Sequence, residues 1–153
     1  MLETTENLIV ESLSEALETM AFMTAMPPEE EAPKPTQSVL VNIEFNGPTS
    51  GKVELLGGTD FLKALTANVM GIDEDDKEAQ SKSIDAFKEL VNTTCGVLLP
   101  RMASSPAEVF DVTVPQAREF DNTQGWDTFV AQENVTILDV DDYPVAVRLS
   151  TTE

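Results

Sequence analysis

The stretch Ser83–Arg101, SIDAFKELVNTTCGVLLPR, has the periodicity that decides the fold. Its apolar residues recur at steps of three and four, the spacing of one helix face: Ile84, Phe87, Val91, Cys95 and Leu98. A second stripe lies about 100–130° around the helix and consists of Asp85, Glu89, Asn92 and Gly96. We expect the helix to bury the first stripe in a core. The second stripe then lies at the edge of the buried face or beyond it, where a partner can touch it.

Within the second stripe, Glu89 and Asn92 are three residues apart, so their side chains lie side by side on a helix. Gly96 leaves a gap one turn further on, and a glycine inside a helix costs about 1 kcal/mol relative to alanine. A gap on an exposed stripe allows another backbone or side chain to approach. Taken alone, however, an exposed stripe of acidic and amide residues is usually a plain solvated face.

Composition indicates an ordinary globular protein. A chain of 153 residues is one domain with room for a single core, and 41% hydrophobic residues argue against disorder. No apolar run approaches the ~20 residues of a transmembrane helix, and the acidic N-terminus is unlike a signal peptide. The single cysteine, Cys95, lies on the apolar stripe, which predicts a buried small side chain rather than a reactive thiol. We expect a cytoplasmic location.

The charge balance excludes several kinds of partner. Nine basic residues against 28 acidic ones give a net charge of −19, so nucleic acid and acidic membrane surfaces are disfavoured. There is no histidine and no second cysteine, which argues against zinc sites and histidine triads. Carboxylates around Asp73–Asp76 leave a metal site possible, but a charged, solvated helix start is the favoured interpretation. We predict no metal of the protein's own.

The N-terminal region is predicted to form a helix over residues 3–24. Its buried face consists of Ile9, Leu13, Ala16, Leu17 and Met20. The end of this helix is very apolar, which predicts burial in the core or at a subunit contact for Met20, Phe22, Met23 and Met26. Pro27 and Pro28 end the helix, and the composition of residues 27–37 is that of a mobile linker.

Alternation and turn residues predict the remaining elements. Strands are expected at residues 39–45, 52–56, 110–114, 126–132, 135–140 and 145–150, with a turn at 141–144. A helix capped by Thr59 or Asp60 should run to about Met70 and end at Gly71. We also expect Gly57-Gly58 to break a strand, Pro100 to stop the long helix, and loops at 104–106 and 116–125.

The two halves of the chain, about 1–71 and 72–153, resemble each other in pattern. A shift of 71 positions lays the helix at Leu13–Met20 on Ile84–Val91, and the strand at 39–43 on 110–114. The same shift lays Ser14, Glu18, Ala21 and Ala25 on the four residues of the second stripe. An internal duplication is the simplest account. The first half has no amide at its equivalent of Asn92, so one site per chain is expected.

The second stripe continues into a longer motif. Asp85, Glu89 and Asn92 are spaced as Asp-x3-Glu-x2-Asn, and Pro115 follows Asn92 after 22 intervening residues. This pattern resembles the active-site signature of the CheC/CheX chemotaxis phosphatases, and the single site and chain length make it look like CheX. The resemblance implies an α+β, CheC-like fold over 1–153, with long helices from two pseudo-repeated halves packed on an antiparallel sheet. It also implies a homodimer formed through strands, for which the hairpin 135–150 is a candidate edge.

The resemblance implies a phosphatase for the phosphoaspartate of a CheY-like receiver domain. Asn92 would position the attacking water, and Glu89 would pair with a lysine of the receiver. Asp85 would tune the helix or contact the rim of the partner, the gap at Gly96 would let the partner approach, and Pro115 would shape the strand end beside the helix. No cofactor of the protein's own is expected, since the receiver supplies the Mg2+. Two other interpretations remain, a non-catalytic adaptor that binds a receiver or a flagellar-switch component, and an unrelated acidic binding module.

Overall fold

The computed structural model describes residues 5–28 and 33–152. It is an α+β protein built on an antiparallel sheet, as predicted, with the elements α1 (Thr5–Ala21), β1 (Ala25–Met26), β2 (Ser38–Asn46), β3 (Ser50–Gly58), α2 (Thr59–Met70), α3 (Lys77–Ser81), α4 (Ser83–Met102), β4 (Asp111–Val112), β5 (Gln116–Phe120), α5 (Thr123–Val130), β6 (Val135–Val140) and β7 (Tyr143–Thr152). None of the described helices is long and apolar enough to cross a membrane.

The sheet joins one hairpin from each half of the chain. Its order is β1-β6-β7-β3-β2-β4, and β5 also pairs with β2. The hairpins β2–β3 and β6–β7 meet at the central pair β3–β7, where Val53 lies opposite Leu149. The strand equivalent in position to β2 is therefore β6, and the shift of 71 residues that relates 39–43 to 110–114 is wrong for the strands. The pseudo-repeat itself stays a prediction.

The main core lies between one face of the sheet and the helices α1, α2 and α4. Alternate residues of β2 point into it, as their period-two pattern predicts: Val39, Val41, Ile43 and Phe45. From α4 the core receives Phe87, Leu90, Val91, Cys95 and Leu98, all at most 1% exposed. A second, smaller cluster on the opposite face is covered by α5 and consists of Leu56, Trp126, Phe129 and Ala146.

The outer strand along β2 contains a β-bulge. Phe45 pairs with Val112 and Asn42 pairs with Gln116, so three steps along β2 correspond to four along the outer strand. The extra residue shifts the alternation of side chains by one. Val112 lies opposite the core residue Phe45 and hence on the helix side of the sheet. Beyond the bulge, Phe120 lies on the far side, where it packs against the second cluster.

Several predicted boundaries are wrong in this region. Within residues 110–114 only Asp111–Val112 forms a strand. The supposed loop 116–125 contains β5 and the start of α5, and the supposed strand 126–132 is largely helical. Trp126, Phe129 and Val130 stand at helical spacing, and Asn122 caps the helix by accepting from the N–H of Gln124 at 3.0 Å. The aromatic and β-branched composition favours a strand locally, and packing against the sheet overrides it.

Two glycines predicted to break β3 lie inside it instead. The strand runs through Gly57 to Gly58. Position 57 requires glycine because a Cβ there would come within 2.9 Å of the Phe61 ring and 3.4 Å of the Phe87 ring. The glycine thus serves a close approach of the helices to the sheet rather than a turn. Both ends of the last strand differ as well: β7 runs from Tyr143 to Thr152 rather than over 145–150, and it follows a turn at Asp141 and Asp142, both with positive φ.

Two helices end in the left-handed conformation, one at a glycine and one at a phenylalanine. α2 ends at Gly71 (φ 68°), as predicted, although its N-cap is Gly58 and neither Thr59 nor Asp60. α1 ends at Ala21, short of the predicted 24, and Phe22 takes φ 56° while Met23 donates to the carbonyl of Leu17 at 3.2 Å.

The apolar end of α1 is only partly buried. Met23 is 1% exposed, whereas Phe22 is 83% and Met26 53% exposed, so the prediction of burial in the core holds for Met23 alone of these three. The predicted helix start at residues 3–4 and part of the predicted linker, residues 29–32, lie outside the described residues.

Substitutions at Phe22 and Gly71 test how much free energy of unfolding a positive φ costs at a residue other than glycine. Phe22→Gly should raise the free energy of unfolding by about 1 kcal/mol, because glycine adopts positive φ without the Cβ clash. Gly71→Ala should lower the free energy of unfolding by about 1 kcal/mol, because alanine is strained at φ 68°. No atom lies within 4 Å of a Cβ at this position, so the loss should come from the backbone alone. Urea unfolding followed by Trp126 fluorescence measures both. A loss of stability in Phe22→Gly would show that the exposed ring is buried in an assembly.

The two faces of α4 should differ in chemical reactivity. Burial raises the pKa of the Cys95 thiol to about 11, so at pH 8 only about one thiol in a thousand is the reactive thiolate. We expect no labelling of the native protein by a thiol reagent, and one equivalent after unfolding. In Asp85→Cys, one thiol should react at once and the other only on unfolding. Rapid labelling of Cys95 in the native chain would contradict the orientation of α4.

Candidate functional site

The helix α4 presents its second stripe to solvent, as the spacing predicts. Asp85, Glu89, Asn92 and Gly96 are all exposed. Beneath them Phe87 and Val91 are 0% exposed, so the buried stripe fixes the rotation of the helix. The side chains of Glu89 and Asn92 line the same depression in the surface. The site residues thus stand on a rigid helix rather than on a loop.

The end of α4 differs from the prediction, with a consequence for Gly96. Pro100 does not stop the helix, which continues to Met102. Proline has no N–H, so the carbonyl of Gly96, four residues earlier, lacks the donor that residue 100 would ordinarily supply. A Cβ built on Gly96 would find nothing within 4 Å, which confirms the open gap predicted at this position. The gap lies one turn beyond the residues that line the depression.

The depression, here called the site groove, has a volume of about 330 Å³. One wall is α4, with Asp85, Lys88, Glu89 and Asn92, and the other is the segment from Val112 to Pro115. Asn92 and Pro115, with 22 residues between them in the sequence, are thus brought together across one groove. Of the predicted site residues, Asp85, Glu89, Asn92 and Pro115 line it.

Pro115 lies at the bulge of the outer strand. Thr113 is still in register with Glu44, because the N–H of Thr113 donates to the carbonyl of Glu44 at 2.9 Å and the N–H of Glu44 donates to Oγ1 of Thr113 at 2.9 Å. The extra residue therefore falls at Val114–Pro115. Proline suits this position, since it has no N–H to donate to a ladder. The bulge therefore explains structurally why a proline can occupy position 115 at the edge of the groove.

The groove holds charges of both signs. Lys88 stands beside Asp85 and Asn92 at helical spacings of three and four, and within the described part of the chain it makes no ion pair. Further along, Arg101 pairs with Glu11 at 3.9 Å and with Glu15, which ties the end of α4 to α1. These last pairs are exposed and contribute little stability, but they restrict the position of α4.

The groove is equipped to bind and orient rather than to attack. Its hydroxyl group, on Thr113, already accepts from the Glu44 N–H, and the cysteine of α4 is buried. Among the described residues no group of three or more metal-ligating side chains occurs. The acidic connector behaves as a helix start, with Asp76 accepting from the N–H of Glu78 at 2.9 Å. The groove thus combines the amide of Asn92 with the carboxylates of Asp85 and Glu89 and the ammonium group of Lys88, which together can hold water and bind charged groups.

The corresponding positions in α1 do not repeat the exposed pair of α4. Glu18 is exposed, but Ala21 is 0% exposed and is the last residue of the helix. Ala25, laid on Gly96 by the shift of 71 residues, belongs to β1, so that equivalence is wrong. An amide side chain at position 21 would have to displace core atoms.

Several solved structures are similar to this protein over nearly the whole chain. No curated protein matches the sequence. A chemotaxis protein CheX of Desulfovibrio desulfuricans is similar in structure (TM-score 0.68, 14% identity, 95% of this chain and 97% of that one). So is a CheX–CheY–BeF3–Mg2+ complex from Borrelia burgdorferi (0.65, 16%, 95% and 96%). A CheC-like superfamily protein of a Shewanella species also matches (0.61, 14%, 99% and 100%).

At these identities the structural matches establish the fold, which is CheC-like, as the motif implied. The sequence model of the family described as "Chemotaxis phosphatase CheX" matches residues 39–124, a span that includes the whole of α4 and the bulge at Pro115. Because this span is more than half of the chain, the protein belongs to the CheX family of chemotaxis phosphatases.

Proposed function

We propose that this protein accelerates the hydrolysis of the phosphoaspartate of a CheY-like receiver domain, with one site per chain in the groove beside α4. The observation that carries the proposal is the exposed pair Glu89 and Asn92 on a rigid helix, in a groove that Pro115 lines from the opposite wall. Membership of a phosphatase family supports the class of reaction. The structure of a CheX–CheY complex from another organism supports the class of partner.

The chemistry asked of the groove is modest. An acyl phosphate is already activated, and the receiver supplies the Mg2+ that neutralises its charge. Water attacks phosphorus, the bond between phosphorus and the aspartyl oxygen breaks, and carboxylate and inorganic phosphate result, with the oxygen and both protons of the water ending on the phosphate. The phosphatase must place that water in line with the leaving oxygen. No group of this chain needs to form a covalent bond.

Asn92 suits the positioning of water. Its amide oxygen accepts a hydrogen bond from water and its NH2 group donates one. The amide is uncharged, whereas a carboxylate at the same place would repel the phosphoryl oxygens. Glu89, one turn before it, would pair with the lysine beside the receiver's phosphoryl group, in a charge-assisted bond that fixes the register of the two proteins. Asp85 and Gly96 would contact the rim of the partner.

The assignment predicts different losses for the two residues. Asn92→Ala should slow phosphate release about 100-fold or more while binding to a beryllofluoride-loaded receiver stays nearly intact, because the lost interaction matters in the transition state. Glu89→Ala should weaken that binding by roughly 2–5 kcal/mol and slow turnover too, since the receiver lysine loses its partner. Phosphate release and receiver affinity, measured side by side, separate the two roles.

Matched controls sharpen this test. Asn92→Asp preserves the shape and adds a charge, so it should be as slow as Asn92→Ala. Glu18→Ala, the exposed equivalent in α1, should change neither quantity. Full activity in Asn92→Ala, or its loss in Glu18→Ala, would move the site elsewhere. Tight receiver binding by the wild type without any acceleration would favour an adaptor instead.

The proposed source of the metal gives a second prediction. After dialysis against a chelator, the protein should contain no stoichiometric ion, and activity should depend on Mg2+ added together with the receiver. Metal analysis and phosphate release at varied Mg2+ measure this. A transition metal that stays bound through dialysis would contradict a receiver-held metal. The expectation that the whole hairpin 135–150 is a free edge is wrong, because β7 lies between β6 and β3 and β6 pairs with β1 at Asp139 and Val140. A homodimer through strands would use the side of residues 135–138 in β6 that pairs with none of the described strands, and sedimentation measures it.

A further inference from the structure

Two valines that line the site groove are exposed to solvent. Val112 is 44% and Val114 75% exposed, and both line the groove opposite α4. They are here called the valine ledge. Valine side chains are more often buried than exposed, and the alternation of Phe110, Val112 and Val114 predicted a strand. The exposure therefore needs a physical account.

The ledge is fixed by its neighbours and is not a loose loop. On one side Phe110 packs edge-to-face on Phe45, with ring centroids 6.0 Å apart. Between the two valines, Thr113 exchanges two hydrogen bonds of 2.9 Å with Glu44 of β2. These contacts leave the valines little freedom to turn inward.

The ledge continues the face of the sheet that the helices cover elsewhere. Val112 lies opposite Phe45, a core residue, and so on the helix side of the sheet. α4 covers the inner part of that face, and its exposed stripe, with Glu89 and Asn92, stands beside the uncovered part. An apolar strip of a core face thus borders the polar stripe across a single groove.

We propose that the valine ledge is a docking surface for the receiver domain and that its occupant is aliphatic surface next to the receiver's phosphorylated aspartate. This inference rests on the proposed function. A phosphoryl group brought within hydrogen-bond reach of Asn92 enters the groove, and the groove has the ledge as its other wall. The surface around the phosphoryl group therefore lies over Val112 and Val114.

Charge supports an apolar contact at this place. The chain carries a net charge of −19 and its partner presents an anionic phosphoryl group, so long-range electrostatics oppose the encounter. Local pairing at Glu89 fixes register, and burial of apolar area on the ledge supplies attraction that salt does not screen. Affinity for the loaded receiver should accordingly persist, or increase, at high salt.

The test is a double substitution, Val112→Ser with Val114→Ser, in the full chain. It should raise the dissociation constant for a CheY-like receiver loaded with beryllofluoride and Mg2+ about tenfold or more, and raise KM similarly, with kcat nearly unchanged. Asn92→Ala should show the opposite split. Since both valines are exposed, the melting temperature should stay that of the wild type.

The chain offers matched controls. Val109, also 75% exposed but outside the groove lining, and Val69 of α2, 39% exposed, should tolerate serine without a change in affinity. An unchanged dissociation constant in the double variant overturns the inference while leaving the proposed function intact. Failure of the wild type to bind or dephosphorylate the receiver overturns both. If the double variant dissociates a dimer and keeps its receiver affinity, the ledge is an interface between copies and the inference is wrong.

Discussion

The burial of one face of α4 against the sheet is the constraint on which the site depends. Phe87, Leu90 and Val91 are fully buried, and the geometry of a helix then determines which residues face outward. Glu89 and Asn92 are exposed because their neighbours are not. The packing of α4 sets the direction in which Glu89 and Asn92 point, so their orientation does not depend on side-chain hydrogen bonds. Substitutions under the site should therefore affect activity as strongly as substitutions in it.

The sequence predicts the elements whose periodicity is long and regular. The α4 stripes, the alternation in β2 and the end of α2 at Gly71 all follow from local patterns. The glycines of β3 mislead because their reason is distant: the rings of Phe61 and Phe87 approach the strand there, and no local pattern shows it. Pro100 misleads for a related reason, because near the end of a helix a single missing hydrogen bond is tolerated.

The outer strand shows a different kind of failure. Apolar residues do alternate from Phe110 to Val114, and the segment pairs with β2. Its valines would be buried only if a helix covered this part of the sheet, and neither the alternation nor the pairing shows whether one does. The pattern of a core strand is present without the cover that a core strand has. Places where local rules hold and burial fails are good candidates for binding surfaces. In this protein such a place adjoins the amide and carboxylate that the motif identifies.

The bulge at Val114–Pro115 also bears on how this chain can change length during evolution. Insertions or deletions between Met102 and Phe110, where the chain forms no regular element, alter the count of residues from Asn92 to Pro115 and leave every pairing in place. A deletion between Val112 and Gln116 would instead remove the bulge and turn Phe120 from the far face to the helix face. Relatives of this protein that share the spacing from Asn92 to Pro115 should therefore also keep the extra residue of the bulge.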